Sequence, residues 1–420
     1  MTNLNTQNNQ NIIDNIISAS EGAEFYLSED VFDQNGNKLL GKGYKVTKNI
    51  KDKLISRVLK KPLETSITSI PSLTVDVIHT EAITLINENP FLQNFKPGIQ
   101  LDAYDLKEIE LAPLAALLLT VQKANRIEAF QHTLFMTLIA RLIAKKLNFN
   151  ASQIYDLTIA CLLHDIGELY CVIPDTQNLS LEQWRSIMTH PVIGSSVVRQ
   201  HMDYSPYVSA AILEHHERSD GSGYPNHVHA EKASDIGKVM IVAEAFSGMV
   251  RRDYNARNLF TTLKLVNHDF PSIPYNALID LLLSVSDYEH LKESNPILDQ
   301  LLAQLKNIEE IIEQLESLNT HKSVNSELSD YLIFRLKKIC QTIYVSGLTD
   351  CIDLGLWEQI KLDKEINHEL FITINEVEWK MKDVIRDMSL RIVKDDIQVS
   401  DALLEILQKL KGSDMTAAVA

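Results

Sequence analysis

The sequence predicts a mainly α-helical protein with a small α/β module near its N-terminal end. Three observations carry that prediction. Asn35-Gly36, a dipeptide that favours the positive φ angles of a two-residue hairpin turn, lies between alternating segments containing Phe25, Leu27, Val31 and Phe32 on one side and Lys38-Leu39-Leu40 on the other. Beyond Leu101 the strand signal ends, and apolar residues recur at helical spacing almost to the C-terminus. From about Asn295, the residues Leu298, Leu301, Leu305, Ile308, Ile312 and Leu315 keep a 3-4 spacing, flanked by Glu309, Glu310 and Glu313.

With 420 residues and roughly 150 per domain, about three domains are expected. Residues 1–20 begin with a stretch rich in Asn, Gln and Thr; it has neither the basic start nor the apolar centre of a secretory signal, and is expected to be a disordered lead-in. Residues 21–100 form the α/β module: Gly41 and Gly43 end the second strand, Ile50 to Leu59 reads as a short helix, and Pro71, Pro90 and Pro97 punctuate the rest. Residues 101–290 form a helical domain. Within it a helix from Ile154 to Leu163 ends at His164, with Gly167 available as its C-cap. Ser180 with Gln183 has capping-box spacing, and Ser205-Pro206 is an N-cap followed by proline at the first helical position. Residues 291–420 form a C-terminal helical extension. After a break at Asn319–Asn325, amphipathic helices follow at about 326–345, 364–391 and 397–411. The 3-4 pattern is short of three heptads, which favours a bundle helix over a coiled coil. These helices are a candidate surface for a homodimer.

Composition narrows the function. Apolar residues at 45% and charged residues at 23% describe an ordinary globular chain. A net charge of −16 repels a polyphosphate backbone, so polymeric nucleic acid is not an expected partner. The longest near-apolar run, Leu111 to Val121, contains Pro113 and is about half of what a bilayer requires, so no transmembrane segment or membrane partner is expected. Cys161, Cys171, Cys340 and Cys351 are sparse and lack a CxxC, which suits a reducing compartment and predicts a cytoplasmic protein. No Gly-rich phosphate loop or GxSxG elbow occurs.

The chemistry is concentrated in histidines, eight of the thirteen lying between His132 and His229. A single histidine on an apolar face is usually a satisfied core residue. Five of these eight lie on or at the ends of apolar helices and are interleaved with carboxylates, which packing alone does not explain. His164-Asp165 ends a buried helix, where adjacent ligands can diverge toward two metals, and Glu128 shares a helix face with His132 at i, i+4. Each pair alone is a common coincidence. The segment His215-His216-Glu217-Arg218-Ser219-Asp220-Gly221-Ser222-Gly223-Tyr224-Pro225 is far more specific. Imidazole with carboxylate and no thiolate suits iron, manganese or a similar divalent ion.

On these residues the chain resembles the HD-GYP family of bacterial cyclic di-GMP phosphodiesterases, a branch of the HD metal-dependent phosphohydrolases, over about residues 125–255. The resemblance implies an all-helical HD-type domain holding two or three divalent transition-metal ions. Its implied ligands are Glu128, His132, His164, Asp165, His190, His215, His216 and Glu244, with Glu128 matching the extra carboxylate of three-metal members. It implies that Asp165 bridges the metals, and that the Gly-Tyr-Pro loop contacts a diguanylate cyclase. Arg218, Tyr224, Arg251 and Arg252 are candidate contacts for substrate; the three arginines read equally well as solvated surface residues.

Four features depart from the family pattern, one being the basic-Pro-Tyr segment after Glu244, reduced here to Arg251-Arg252-Asp253-Tyr254. Glu168 stands where the family has Lys after the Ile-Gly step, the loop following Ile173-Pro174-Asp175 is shortened to Thr176-Gln177-Asn178-Leu179, and Glu244 replaces the usual Asp. Glu168 therefore has two readings: a catalytic-site carboxylate that slows the reaction, which Lys would speed, or a group that faces solvent or binds metal. The function that follows is hydrolysis of cyclic di-GMP to linear pGpG and on to GMP. The alternative is a weak or inactive module that binds metal or nucleotide and signals through its helical tail.

Overall fold

A computed structural model describes the chain except for residues 1, 21–22, 55–56, 96–98, 100–104, 174–178, 253–255, 284–297, 321–325, 346–363, 395–398 and 412–420. The chain forms two compact units, the first comprising 1–178, 183–252 and 268–285, the second 179–182, 253–267 and 286–420.

The first unit opens with helix α1 (Thr2–Ala19). A polar composition suggested disorder here, but Ile12, Ile16 and Ile17 recur at helical spacing and are buried, so the lead-in is an ordered helix. Strands β1 (Glu24–Leu27), β2 (Val31–Phe32) and β3 (Lys38–Leu40) follow. The β2–β3 hairpin forms where expected but not as a two-residue turn: Gly36 N donates to the Asp33 carbonyl at 3.0 Å, and only Gly36, at φ +81°, is left-handed, Asn35 not being so. Asp33 Oδ1 accepts from the backbone N–H of Asn35 and of Asn37, which closes the turn. Helix α2 (Lys48–Leu54) is shorter than expected, because Leu59 is drawn off into a bridge with Asp33. A fourth strand, β4 (Ile67–Ile70), which the sequence reading missed, pairs antiparallel with β1 in the register Glu24 to Ile70 and Leu27 to Ile67.

The helices of the unit are α3 (Val75–Glu88), α4 (Pro90–Gln93), α5 (Pro113–Asn125), α6 (Ile127–Lys146) and α7 (Ala151–Leu163). A 3-10 turn (Ile166–Tyr170) leads on to α8 (Leu181–Ile187), α9 (His190–His201), α10 (Pro206–Glu214) and α11 (Asp235–Arg252). Asn150 and Gln153 form a reciprocal capping box that starts α7, and Ser205 Oγ accepts from Tyr207 N to start α10. Helix α6 packs on α5, α7 and α11; α9 packs on α10 and on the 3-10 turn; α10 packs on α7 and α11. Among the described residues α6 is the one helix long and apolar enough to cross a membrane, and 72% of its apolar window is buried inside the protein, as in a core helix.

Gly167 does not cap α7 with a left-handed residue; α7 ends at His164 in a right-handed conformation and Gly167 sits inside the 3-10 turn. Its function is close approach. A Cβ there would lie 2.0 Å from the carbonyl oxygen of His190, so only glycine lets this turn reach the start of α9.

The second unit contains α12 (Ala256–Val266), α14 (Leu298–Thr320), α15 (Ser326–Val345), α16 (Lys364–Lys394) and α17 (Asp401–Lys411), whereas α13 (Ser272–Leu283) belongs to the first. The three predicted tail helices begin and end within a few residues of these bounds. Leu305, Ile308, Ile312 and Leu315 of the 3-4 pattern are buried against apolar residues of α15, α16 and α17, so this is a packed bundle. Across it Arg335 pairs with Asp383 at 2.9 Å and with Asp387 at 3.1 Å, while Asp387 also accepts from Tyr331 and Arg391.

Candidate metal centre

Five histidines and two carboxylates meet where α6, α7, α9, α10 and α11 converge. His132 comes from the second turn of α6, His164-Asp165 from the end of α7, His190 from the start of α9, His215-His216 from the end of α10 and Glu244 from α11. Helix ends supply most of the set, so neighbouring side chains can diverge around one point.

The distances define two groups that share Asp165. Asp165, His190, His215 and His216 each offer a ligand atom within 4.8 Å of the others, as do His132, His164 and Asp165. Asp165 Oδ1 lies 3.3 Å from His190 Nε2 and 3.8 Å from His215 Nε2, while Oδ2 lies 3.0 Å from His164 Nε2. Glu244 Oε2 joins the second group, 2.9 Å from His132 Nε2 and 3.5 Å from His164 Nε2.

The donor set fits a divalent cation. His164, His190 and His215 each place Nδ1 at 2.6 to 2.8 Å from the carbonyl three residues earlier, those of Cys161, Ile187 and Ile212. A carbonyl only accepts, so each Nδ1 donates and each Nε2 carries a lone pair. This is how ligating imidazoles are oriented from outside a metal's coordination shell. Those lone pairs then converge: His190 Nε2 is 3.2 Å from His215 Nε2, an arrangement that needs a proton or a cation between them. His164 Nε2 is buried 3.0 Å from Asp165 Oδ2, yet makes no hydrogen bond.

Electrostatics agree. Burial opposes ionisation of Asp165 and Glu244, yet the surrounding imidazoles hold both carboxyls well below the usual range. Burial also opposes the His164 imidazolium, but Asp165 and Glu244 outweigh it and lift His164 to about 9. For His216, burial together with His215 and His190 keeps the ring neutral, and burial holds His215 down as well. Ionised Asp165 and Glu244 beside neutral His215 and His216 are the protonation states metal ligation requires, whereas at His164 and His190 burial is outweighed by the carboxylates, which favour a positive charge there that a metal ion would supply in place of the proton.

The Gly-Tyr-Pro loop is built to lie on this cluster. Tyr224 stacks on His216 with ring centroids 4.5 Å apart. Gly223 fits because a Cβ there would meet the carbonyl oxygen of His216 at 2.4 Å. Glu217, fully buried, accepts from the backbone N–H of Asn226 and Val228. Sequence reasoning noted Glu217 only within the motif; its position beside two ligands could suggest a ligand, but it staples the loop.

Other predicted residues fall elsewhere. Glu128 is exposed and belongs to neither group, because it lies one turn before His132 at the exposed start of α6. Arg218 packs its guanidinium over Phe270 at 5.0 Å. Arg251 is exposed at the end of α11, and the Arg252 side chain and most of the shortened loop, Thr176 to Asn178, lie outside the described residues. Glu168 is in neither group; its Oε2 pairs with Arg126 Nη1 at 2.8 Å. Burial and the Asp165 charge raise the Glu168 carboxyl, with Arg126 pulling the other way. Sequence reasoning missed Arg126, since nothing links it to a residue 42 positions later.

Residues 113–265 match the family model described as "HD domain". Over 121 residues, 27% of this chain and 32% of the relative, the chain is 30% identical to the cyclic di-GMP phosphodiesterase response regulator RpfG of Xanthomonas campestris. It is 30% identical over 131 residues to a cyclic di-GMP phosphodiesterase of Thermotoga maritima, covering 30% of this chain and 35% of that one. To the 3'3'-cGAMP-specific phosphodiesterase 3 of Vibrio cholerae it is 29% identical over 121 residues, 27% of this chain and 26% of that protein. The chain thus spans about a third of the length of these relatives or less. Residues 113–265 thus match an HD domain, and the two ligand groups described above lie within that span.

Proposed function

We propose that this chain is a metal-dependent phosphodiesterase that opens cyclic di-GMP to linear pGpG and on to GMP, within bacterial second-messenger signalling in the cytoplasm. The observation that carries the reading is the pair of ligand groups sharing Asp165, with three histidines locked by backbone carbonyls so that Nε2 faces inward. His190, His215 and His216 would hold one ion, His132, His164 and Glu244 a second, with Asp165 between them. Iron or manganese suits this nitrogen and oxygen set. Such ions, when bound, polarise a phosphodiester and activate water at neutral pH. The exposed position of Glu128 supports a two-metal over a three-metal centre.

The protein's own contribution is to orient and to shield. Asp165 keeps its charge against burial, Tyr224 covers His216, and the Glu217 staple fixes the loop above the cluster. The α/β module of 21–100 and the helices of 291–420 are assigned to regulation, the latter also to dimer formation, and the Gly-Tyr-Pro loop to contact with a diguanylate cyclase. The matched relatives include enzymes named for cyclic di-GMP and one named for 3'3'-cGAMP, so a cyclic dinucleotide is the substrate class and 3'3'-cGAMP the second candidate. The test is incubation of anaerobically purified protein with Mn²⁺ or Fe²⁺ and each dinucleotide. Linear pGpG from cyclic di-GMP is expected; no linear product from either dinucleotide means a silent binding module.

A further inference from the structure

We infer that Arg126 is a phosphate-binding residue of this centre, positioned by Glu168 and by Asn15 of helix α1. The inference rests on the phosphodiesterase reading above and supplies the cation that the family's Lys would have provided at position 168. Glu168 sits three residues after Asp165 in a 3-10 turn, where side chains at i and i+3 eclipse, so it lies on the same side of the turn as the carboxylate shared by both ligand groups. Arg126, the non-helical residue between α5 and α6, reaches it with Nη1 2.8 Å from Oε2.

The pair is supported from behind. Asn15 Nδ2 donates to the carbonyl of Leu169 at 2.8 Å, and Asn125 Nδ2 donates to the carbonyl of Asn15 at 2.8 Å. One residue of α1 therefore ties down the neighbour of Glu168 and the neighbour of Arg126 together. Asn11 adds a bond from its Nδ2 to the carbonyl of Tyr170 at 3.0 Å. A solvated surface ion pair has no such bracket and contributes little to stability. Arg126 remains 32% exposed against 17% for Glu168, and among the described residues it makes no other ion pair. A guanidinium has five donors in a planar fork, so with Nη1 on Glu168 the remaining donors are available to phosphate oxygens. Glu168 is then a positioning residue, and the anion at 168 is the counterpart of a cation delivered from position 126.

The experiment measures inorganic phosphate binding to the full-length, metal-reconstituted protein by calorimetry, together with metal content and KM and kcat for cyclic di-GMP. Arg126→Ala is expected to weaken phosphate binding about tenfold or more, the loss of charge-assisted hydrogen bonds, and to raise KM while metal content stays at the wild-type value. Arg126→Lys, which keeps the charge and controls for folding, is expected to recover most of the affinity, and Glu168→Gln and Asn15→Ala to fall between Arg126→Ala and wild type. Phosphate binding by Arg126→Ala equal to wild type overturns the inference, as does a loss seen only where metal is lost too. Because phosphate binding needs no turnover, a chain that cleaves no cyclic dinucleotide but loses phosphate affinity in Arg126→Ala overturns the enzymatic reading and supports this one.

Discussion

Gly167→Ala is the smallest change expected to empty the metal centre. The added Cβ would lie 2.0 Å from the His190 carbonyl oxygen, 2.8 Å from the His190 carbonyl carbon and 2.9 Å from Gly194 N. All three are backbone atoms, so no side chain can rotate away. Bringing the closest of them to an ordinary contact near 3.4 Å moves the 3-10 turn away from α9 by about 1.4 Å. Asp165 precedes that turn and His190 opens α9, and their ligand atoms are 3.3 Å apart. Metal ligands tolerate only about 0.2 Å of displacement, so the substitution opens the group that Asp165 forms with His190, His215 and His216. Overpacking of this kind costs about 1–3 kcal/mol, which lowers the melting temperature by several degrees, and disturbed support of ligands lowers metal affinity roughly 10–100-fold. Elemental analysis and thermal melting of the variant beside wild type provide the check. Full metal occupancy with a melting temperature within a degree of wild type would refute the reasoning.

Other perturbations test other parts of the account. Glu168→Lys sets a second cation against Arg126 in place of the 2.8 Å ion pair, so turnover of cyclic di-GMP should fall; a faster Lys variant would show that Glu168 is a defect. Burial holds the Glu64 carboxyl above its ordinary value of 4.5, even though it accepts from the Tyr170 hydroxyl. The folded state therefore binds that proton more tightly than the unfolded state, and this contribution, full below 4.5, is lost as pH rises through the folded value. Glu64→Gln should raise the melting temperature at pH 8 and change it little at pH 4; a gain confined to low pH contradicts the sign. Asp387→Ala strips the buried Arg335, together with Arg391 and Tyr331, of a shared acceptor, and should destabilise the C-terminal unit by about 3–5 kcal/mol. Urea unfolding followed by helical circular dichroism reads that loss, and a midpoint unchanged from wild type would mean the network is dispensable.

Local signals carried much of the architecture. Asn35-Gly36 marked the hairpin because Gly36 supplies its one left-handed residue, although Asp33, outside that pair, closes the turn, and the tail helices were legible because Leu305, Ile308, Ile312 and Leu315 all serve one buried face. Strand β4 was not legible: Ile67–Ile70 is too short to show a pattern and is defined by pairing with β1 some 40 residues earlier. Helix α1 was misread because its polar start outweighed three isoleucines whose partners are the 3-10 turn and α5. In the site, the histidines and Asp165 could be read from motif spacing, and Glu244 from its place after Ala243. What could not be read was contact across the chain. Glu128 shares a helix face with His132 in sequence, yet one turn takes it from a buried position to an exposed one. Arg126 meets Glu168 only because α1, α5 and the 3-10 turn pack together.

The proposed activity requires the inward-facing nitrogens and the shared carboxylate to hold metal. Elemental analysis of protein reconstituted without oxygen with Fe²⁺ or Mn²⁺, then freed of loose ions, tests this directly, with Asp165→Ala as the paired sample. Two ions per chain are predicted for the wild type, in keeping with the two ligand groups that share Asp165, and a large loss in the variant. Fewer than one ion per chain in the wild type, or equal content in both proteins, would contradict it.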